Sequence, residues 1–245
     1  IPANAQSVPS AGQVAVVISK VAIQRGTRQL AATPHAPVFW GDVVNTARLA
    51  RARIALNDGS VLNVGSQSSL QIVKQDAAAQ QTQIQLIYGR VRSHVIHLTK
   101  PGASFKVQTR LGTAGVVGTD FYLDLEGDVL QLIVFEGIVH FCNLAGVCVN
   151  VGPGKMSIIR GNTPPSAPTN VPNALLSDAV KSTTVVVGQT GEGLAAAQVA
   201  VDDEQLCHVL AGQQLLLDDL LPEVFIHRVF FHGCKLYTCR IYLST

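Results

Sequence analysis

Short stretches of alternating apolar and polar residues run along the chain, separated by turn residues at close intervals. In Arg51–Leu56, for example, Ala52, Ile54 and Leu56 share one face, and Asn57-Asp58-Gly59 follows as a hairpin turn. No long stretch with helical periodicity interrupts this pattern before the last third of the chain. The pattern predicts an all-β fold, either a sandwich or a solenoid-like roll, followed by a smaller β-rich C-terminal region.

The same alternation predicts the remaining strands, with a polar tip at residues 75–81 that could instead form a short helix. These strands are Val14–Ile18, Val21–Ile23, Val61–Val64, Ser69–Val73, Thr82–Tyr88, Arg90–Leu98, Ala103–Thr109, Phe121–Leu125, Val129–Phe135 and Ile138–Phe141. Gly112, Gly115 and Gly118 lie in the gap before Phe121 and allow close backbone approach. A phosphate-binding loop is the weaker interpretation, because neither a helical pattern nor a Lys-Ser/Thr pair follows.

Composition divides the chain into four parts. Residues 1–12 form a Pro- and Ala-rich arm, and residues 13–160 form the main β domain. Residues 161–173 contain four prolines and are predicted to be an extended linker. Residues 174–245 form the β-rich C-terminal region, in which residues 174–181 could add one or two helical turns.

Several motifs occur in the order known from one family of bacterial domains. Val117-Gly118-Thr119-Asp120-Phe121, followed by Glu136-Gly137, resembles the core signature of the FecR domain. The resemblance covers roughly residues 14–160. Further motifs that fit are Gly41-Asp42 with Thr46, Arg51–Leu56 with Asp58-Gly59-Ser60, and Gly152-Pro153-Gly154-Lys155.

FecR domains are the extracytoplasmic domains of bacterial regulators that sense TonB-dependent transporters. The resemblance therefore implies a FecR-like β fold and suggests a periplasmic sensor or binding module that docks a transporter or another envelope protein. Membrane-bound members carry a transmembrane helix and a cytoplasmic anti-sigma segment before this domain, and the printed sequence contains neither. For that reason we expect a self-assembling structural subunit of an extracellular filament or envelope assembly, with the binding module as the alternative.

The charge content bears on possible partners. Charged residues make up 14% of the chain and the net charge is +2, whereas typical domains are about 25% charged. The sequence lacks the clusters of Lys and Arg that are typical of proteins that bind nucleic acid or anionic membranes. It also lacks an apolar run long enough for a transmembrane helix. A surface with so few charges suits a chain covered by copies of itself or by glycans, for which Thr163, Ser166 and Thr169 are the O-glycosylation candidates.

Export is predicted from a motif near the start of the sequence; the alternative is that residues 1–12 are a polar arm in which the motif occurs by chance. Ala3-Asn4-Ala5 has the small-x-small form of a signal-peptidase site, so we expect an extracellular or periplasmic protein. Cys142 and Cys148 flank a five-residue hairpin loop and are predicted to form a disulfide, which suits that location. Cys234 and Cys239 are a second candidate pair, and Cys207 leaves the cysteine count odd.

No catalytic, cofactor or metal site is predicted. The cysteines and the seven histidines lack the spacings of zinc motifs, and His94 and His97 point to opposite faces of a strand. Asp42, Asp58, Asp120 and Asp128 lie at turns or strand starts, where local backbone hydrogen bonding explains them. We therefore expect the protein not to be an enzyme.

Self-assembly would require an alternating strand that can complete the sheet of a neighbouring subunit. The N-terminal arm leads into one such strand, and the end of the chain contains another. Pairing of both segments within their own subunit is the alternative. The candidate residues are Val14, Val16 and Ile18 at the start and Tyr237, Ile241 and Leu243 at the end.

Overall fold

Seventeen strands and one helix make up residues 8–185, the part of the chain that this computed structural model describes. All of these residues belong to one compact unit, Ile1–Gln189. The strands are β1 (Ser10–Ile18), β2 (Val21–Arg25), β3 (Arg28–Ala31), β4 (Pro37–Phe39), β5 (Val43–Thr46), β6 (Arg51–Leu56), β7 (Val61–Val64), β8 (Ser68–Asp76), β9 (Gln81–Val95), β10 (Ser104–Gln108), β11 (Gly112–Val116), β12 (Thr119–Glu126), β13 (Val129–Glu136), β14 (Val139–Asn143), β15 (Cys148–Val151), β16 (Lys155–Arg160) and β17 (Thr169–Asn170). The helix is α1 (Asn173–Thr183).

The strands form two sheets that share β9, and the all-β prediction is confirmed. Sheet A has the order β4, β1, β6, β7, β9, β12, β13, β16, β17. Sheet B has the order β3, β2, β5, β8, β9, β10, β11, β14, β15. From β10 onwards, successive hairpins alternate between sheet B and sheet A, which is the arrangement of a roll.

Strand β9 passes from one sheet to the other at Gly89. Residues 81–88 pair with β8 in sheet B, and residues 89–95 pair with β12 in sheet A. Gly89 has φ +85°, and a Cβ at this position would lie 2.3 Å from the Ser68 Oγ. Only glycine fits this bend. The two predicted strands Thr82–Tyr88 and Arg90–Leu98 are thus joined in one strand, β9, which ends at Val95.

The main hydrophobic core lies between the sheets and is built from the inward residues of most strands. Ile54 and Leu123 come from sheet A, Ile84 and Phe105 from sheet B, and all four are fully buried. Each such side chain stabilises the fold by about 1.5–3 kcal/mol. The alternation in the sequence therefore marks the inner faces of both sheets.

Strand β1 lies inside sheet A of its own subunit, with β4 on one side and β6 on the other. Val14 is opposite Ile54 and is fully buried, and Ile18 is opposite Arg51. Val16 follows a bulge in the same ladder. Val14, Val16 and Ile18 thus pair with β6 of the same chain, and their role in assembly stays a prediction. The other assembly candidates, Tyr237, Ile241 and Leu243, lie outside the described residues.

The glycine-rich stretch before Phe121 is itself a strand, β11, and not the loop that the sequence suggested. It pairs with β10 and β14, and Gly112 faces Asn143 across the ladder, next to Cys142. A Cβ on Gly112 would lie 2.4 Å from the Cys142 carbonyl oxygen. The close backbone approach expected of the glycines is therefore present at this position.

The proline-rich segment 161–173 lies along the edge of sheet A. The Ser166 backbone N–H donates to the Ile158 carbonyl at 2.9 Å, Pro165 is buried, and β17 pairs with β16. Helix α1 follows directly and is longer than the one or two turns that the sequence suggested. Within residues 8–185, no helix has the length and apolar character that a membrane span requires.

Candidate protein-binding face

The outer face of sheet A carries two rows of alternating polar residues on neighbouring strands. Strand β9 contributes Arg90, Arg92 and His94, and β12 contributes Asp120 and Asp124. Their cross-strand register sets Arg90 opposite Asp124 and His94 opposite Asp120. Because residues two apart on a strand share a face, basic groups of one strand meet acidic groups of the next.

Arg92 is held in place by two neighbours. Its Nε and Nη2 donate to the two carboxylate oxygens of Asp120 at 2.8 and 2.7 Å. Its guanidinium carbon lies 4.0 Å from the centre of the Phe135 ring. A fork-shaped ion pair together with a cation–π contact fixes the planar group while 25% of the side chain stays exposed.

The turns at the end of these strands expose two apolar side chains. Val117 precedes β12 and is 57% exposed, and Ile138 follows β13 and is 62% exposed. The two turns touch, because the Gly118 carbonyl oxygen lies 2.5 Å from the position that a Cβ on Gly137 would occupy. We call Arg92, His94, Asp120 and Phe135, together with Val117 and Ile138, the Arg92 face.

Close packing of the backbone explains why glycine occupies positions 118 and 137. Gly137 has φ +77° and Gly118 has φ +153°. A Cβ on Gly118 would lie 3.0 Å from the Cα of His97. Larger residues would force the neighbouring backbone segments apart. The resemblance motif around residues 117–121 and 136–137 therefore builds the end of the Arg92 face.

Helix α1 covers the other half of this sheet face. Its Leu176 and Ala179 pack on Tyr122, Ile133 and Met156. A cleft of about 390 Å³ remains beneath the helix. Its polar lining includes Arg51, Arg90, Tyr122, Asp178, Lys181 and Ser182.

Burial shifts the pKa values of two groups under the helix. It raises the pKa of the Tyr122 hydroxyl far above its ordinary value, and the nearby negative charge of Asp124 raises it further. Burial also raises the pKa of Asp124, although Arg90 opposes the rise from 2.9 Å away. The Tyr122 hydroxyl donates to the Asp124 carboxylate at 3.2 Å. This cluster joins α1 to the sheet, with the Arg51 Nε donating to the Ser182 carbonyl.

A second ion pair, between the end of β2 and the turn before β5, repeats the arrangement of the first. Arg25 donates to both oxygens of the fully buried Asp42 carboxylate, and its guanidinium carbon lies 4.3 Å from the Phe39 ring centre. The Phe39 backbone N–H also donates to Asp42. Arg–Asp–Phe clusters thus brace two separate parts of the fold.

Other residues of the resemblance motifs serve the backbone. Thr46 Oγ1 donates to the Gly65 carbonyl at 2.6 Å and accepts from the Ser68 N–H. Asp58 accepts from the Ser60 N–H, as the turn predicted. These contacts hold the backbone of neighbouring strands and turns in place.

The expectation for the turn aspartates was wrong in one respect. Asp120 forms an ion pair with Arg92 on the neighbouring strand, and Asp128 forms one with Arg110 from the turn between β10 and β11. Sequence reasoning therefore missed Arg92 and Phe135. The signal was present in the alternation of Arg90, Arg92 and His94, which places three basic groups on one face.

The structure also locates the remaining candidates. Cys142 and Cys148 are opposite each other on β14 and β15 and form a disulfide. Thr163, Ser166 and Thr169 are exposed, and the Thr163 hydroxyl donates to the Arg160 carbonyl. Cys207, Cys234 and Cys239 lie outside the described residues.

Residues 42–140 match the family model described as "FecR protein". The match begins just before β5 and ends in β14, so it includes the whole Arg92 face. The resemblance to the FecR domain is confirmed over this segment. No curated protein matches the chain.

Two crystal structures of a protein described as a "putative anti-sigma factor" from Parabacteroides distasonis ATCC 8503, at 1.65 and 2.50 Å resolution, are similar to this chain. Each is 15% identical in sequence, with a TM-score of 0.48. The alignment covers 55% of this chain and 62% of the other.

Proposed function

We propose that this chain, in which residues 42–140 match the FecR family model, is a non-enzymatic, extracytoplasmic binding module. It would dock an envelope protein through the Arg92 face. The periplasmic domain of a TonB-dependent transporter is the partner class that the family suggests. The disulfide between Cys142 and Cys148 suits an exported protein.

The observation that carries the proposal is the fixed position of Arg92 on a sheet whose end turns expose Val117 and Ile138. Arginine and aromatic residues dominate the energetics of protein interfaces. An arginine that Asp120 and Phe135 already hold loses little side-chain entropy on binding. Val117 and Ile138, at the rim, add apolar area that a partner could cover.

The self-assembling subunit is less well supported. Its main element was a free N-terminal strand, whereas residues 10–13 of β1 pair with β4 and residues 12–18 pair with β6 within sheet A. The side of β1 that faces β6 is therefore not open to another subunit. The family match favours the binding module, which the sequence left as the alternative.

Binding can be tested with the full chain and the soluble periplasmic domains of TonB-dependent transporters from the same organism. Isothermal titration calorimetry should detect a complex with one of them. Arg92→Glu places a negative charge beside Asp120 and should abolish that complex. Ile138→Ser should weaken it by roughly tenfold or more, a loss of about 1.4 kcal/mol.

Leu144 supplies a matched control. It is 67% exposed and lies beyond the opposite end of β14 from Ile138. Leu144→Ser should leave the affinity unchanged. Equal losses for Ile138→Ser and Leu144→Ser would place the interface elsewhere, and large particles in light scattering without any partner would favour self-assembly.

A further inference from the structure

One side-chain cluster outside the Arg92 face has the donor atoms of a metal site. His140, Cys142 and Cys148 lie on the β14–β15 hairpin, and their ligand atoms are all within 4.8 Å of one another. Residues 140 and 142 are two apart on β14 and share a face, while Cys148 is directly opposite Cys142. Strand register, and not sequence spacing, brings the three together.

We propose that reduction of the Cys142–Cys148 disulfide creates a zinc site formed by these two thiolates and the His140 imidazole. Two sulfurs and one imidazole nitrogen are donors that Zn²⁺ prefers. Three protein ligands leave a fourth tetrahedral position open for water or another ligand. The site is thus closed by oxidation and opened by reduction.

The geometry requires only small adjustments. Zn–S distances of about 2.3 Å and Zn–N distances of about 2.0 Å place tetrahedral donors roughly 3.5–3.8 Å apart. The donors already lie within 4.8 Å, and the thiols separate once their bond is broken. His140 is exposed and the cysteines are half-buried, so the ion can reach the site from solvent.

Asn150 orients the imidazole. Its Oδ1 lies 2.9 Å from the His140 Nδ1, and the two residues are opposite each other on the hairpin. In the tautomer with the proton on Nδ1, this nitrogen donates to the amide oxygen and Nε2 keeps its lone pair for the metal. Metal-binding histidines commonly have such an outer hydrogen-bond partner.

The redox step balances with a dithiol as reductant. Its two thiols are oxidised to a disulfide by thiol–disulfide exchange, and the two electrons and two protons give the thiols of Cys142 and Cys148. Zn²⁺ then displaces the two thiol protons when the thiolates bind. The site takes a soft or borderline divalent cation and needs no partner protein.

The test uses the full chain with Cys207, Cys234 and Cys239 replaced by serine, and circular dichroism to verify folding. Zinc affinity is measured by competition with a chromophoric chelator before and after reduction. Co²⁺ replaces Zn²⁺ in a second titration to report thiolate ligation by absorption. The reduced chain should bind one Zn²⁺ at least about a hundredfold more tightly than the oxidised chain, because both thiolates are absent from the oxidised chain.

Two substitutions separate the donor set from a pair of thiols alone. His140→Ala should weaken Zn²⁺ binding by about tenfold or more, whereas the control His94→Ala should not. Asn150→Ala should weaken Zn²⁺ binding by roughly tenfold. Asn150→Asp should keep the parent affinity, because a carboxylate also accepts the hydrogen bond from the Nδ1–H.

The natural-cysteine chain keeps the test decisive if the triple replacement does not fold. In that background, Cys142→Ser/Cys148→Ser should lower the zinc stoichiometry of the reduced protein by one per chain. Equal binding by reduced and oxidised chains, or by His140→Ala and the parent, would overturn the proposal.

Discussion

Arg92 and Asp120 form a two-pronged ion pair between β9 and β12, with Nε–Oδ1 and Nη2–Oδ2 distances of 2.8 and 2.7 Å. Asp120→Asn keeps the shape of the side chain but removes its charge, and Arg92 is left partly buried against Phe135. We expect the free energy of unfolding to fall by about 1–3 kcal/mol, measured by urea denaturation.

The Arg110–Asp128 pair is the control for this prediction. Its side chains are 48% and 86% exposed. Water screens an exposed pair of this kind, so Asp128→Asn should leave the unfolding midpoint unchanged. Equal losses of stability in the two variants would contradict the special position of Arg92.

Gly137 and Gly118 should tolerate alanine less well than Gly127 does. All three have positive φ angles, but a Cβ at Gly127 meets nothing within 4 Å, whereas one at Gly137 lies 2.5 Å from a backbone oxygen. Gly127→Ala should cost about 1 kcal/mol through backbone strain, and Gly137→Ala roughly 3 kcal/mol or more.

Gly118→Ala should fall between these two, because its nearest contact is His97 at 3.0 Å. Melting temperatures of the three variants measure the order. A Gly137 variant as stable as the Gly127 variant would show that the two turns do not touch.

Alkaline pH should destabilise the fold through Tyr122. Its ordinary pKa is 10.0, and burial raises the pKa in the folded state. Above about pH 10 the unfolded chain releases this proton while the folded chain keeps it, so the free energy of unfolding falls by up to about 1.4 kcal/mol per pH unit.

Tyr122→Phe removes this dependence, although it also removes the hydrogen bond to Asp124. The difference in unfolding free energy between the parent and Tyr122→Phe should therefore narrow as the pH rises above about 10. Tyr88→Phe, at a position that is 49% exposed, is the control. A parent-to-variant difference that stays constant with pH would refute the role of Tyr122.

Loss of the Cys142–Cys148 disulfide should leave the hairpin folded. The Asn143 backbone N–H donates to the Val147 carbonyl at 3.0 Å, and the Asn143 side chain accepts from the Val147 N–H. Strand β14 also pairs with β11. Cys142→Ser/Cys148→Ser should therefore cost less than about 3 kcal/mol, since the loop is short.

Asn143→Ala in the same serine background measures how much the side-chain hydrogen bond holds the hairpin. It should add about 1 kcal/mol to the loss. Near-ultraviolet circular dichroism distinguishes a destabilised native state from a disrupted one. If Cys142→Ser/Cys148→Ser, without Asn143→Ala, already lacked the native spectrum, the disulfide would be required for folding.

The sequence alone determined the fold class and most of the strands. Alternation of apolar and polar residues is a local pattern. It correctly predicted the strand Arg51–Leu56, including both of its bounds. The hairpin turn at Asp58 and the pairing of Cys142 with Cys148 also depend on close neighbours. A pattern that spans only a few residues can be read without knowledge of distant contacts.

Only the tertiary structure decided which residues meet across the sheets. Arg92 and Asp120 are 28 residues apart, and their contact depends on the register of β9 with β12. The strand β11 was missed because glycines weaken strand propensity, and its stability comes from the pairing with β14. Strand register sets long-range contacts, and nothing in a local stretch of sequence encodes the partner strand.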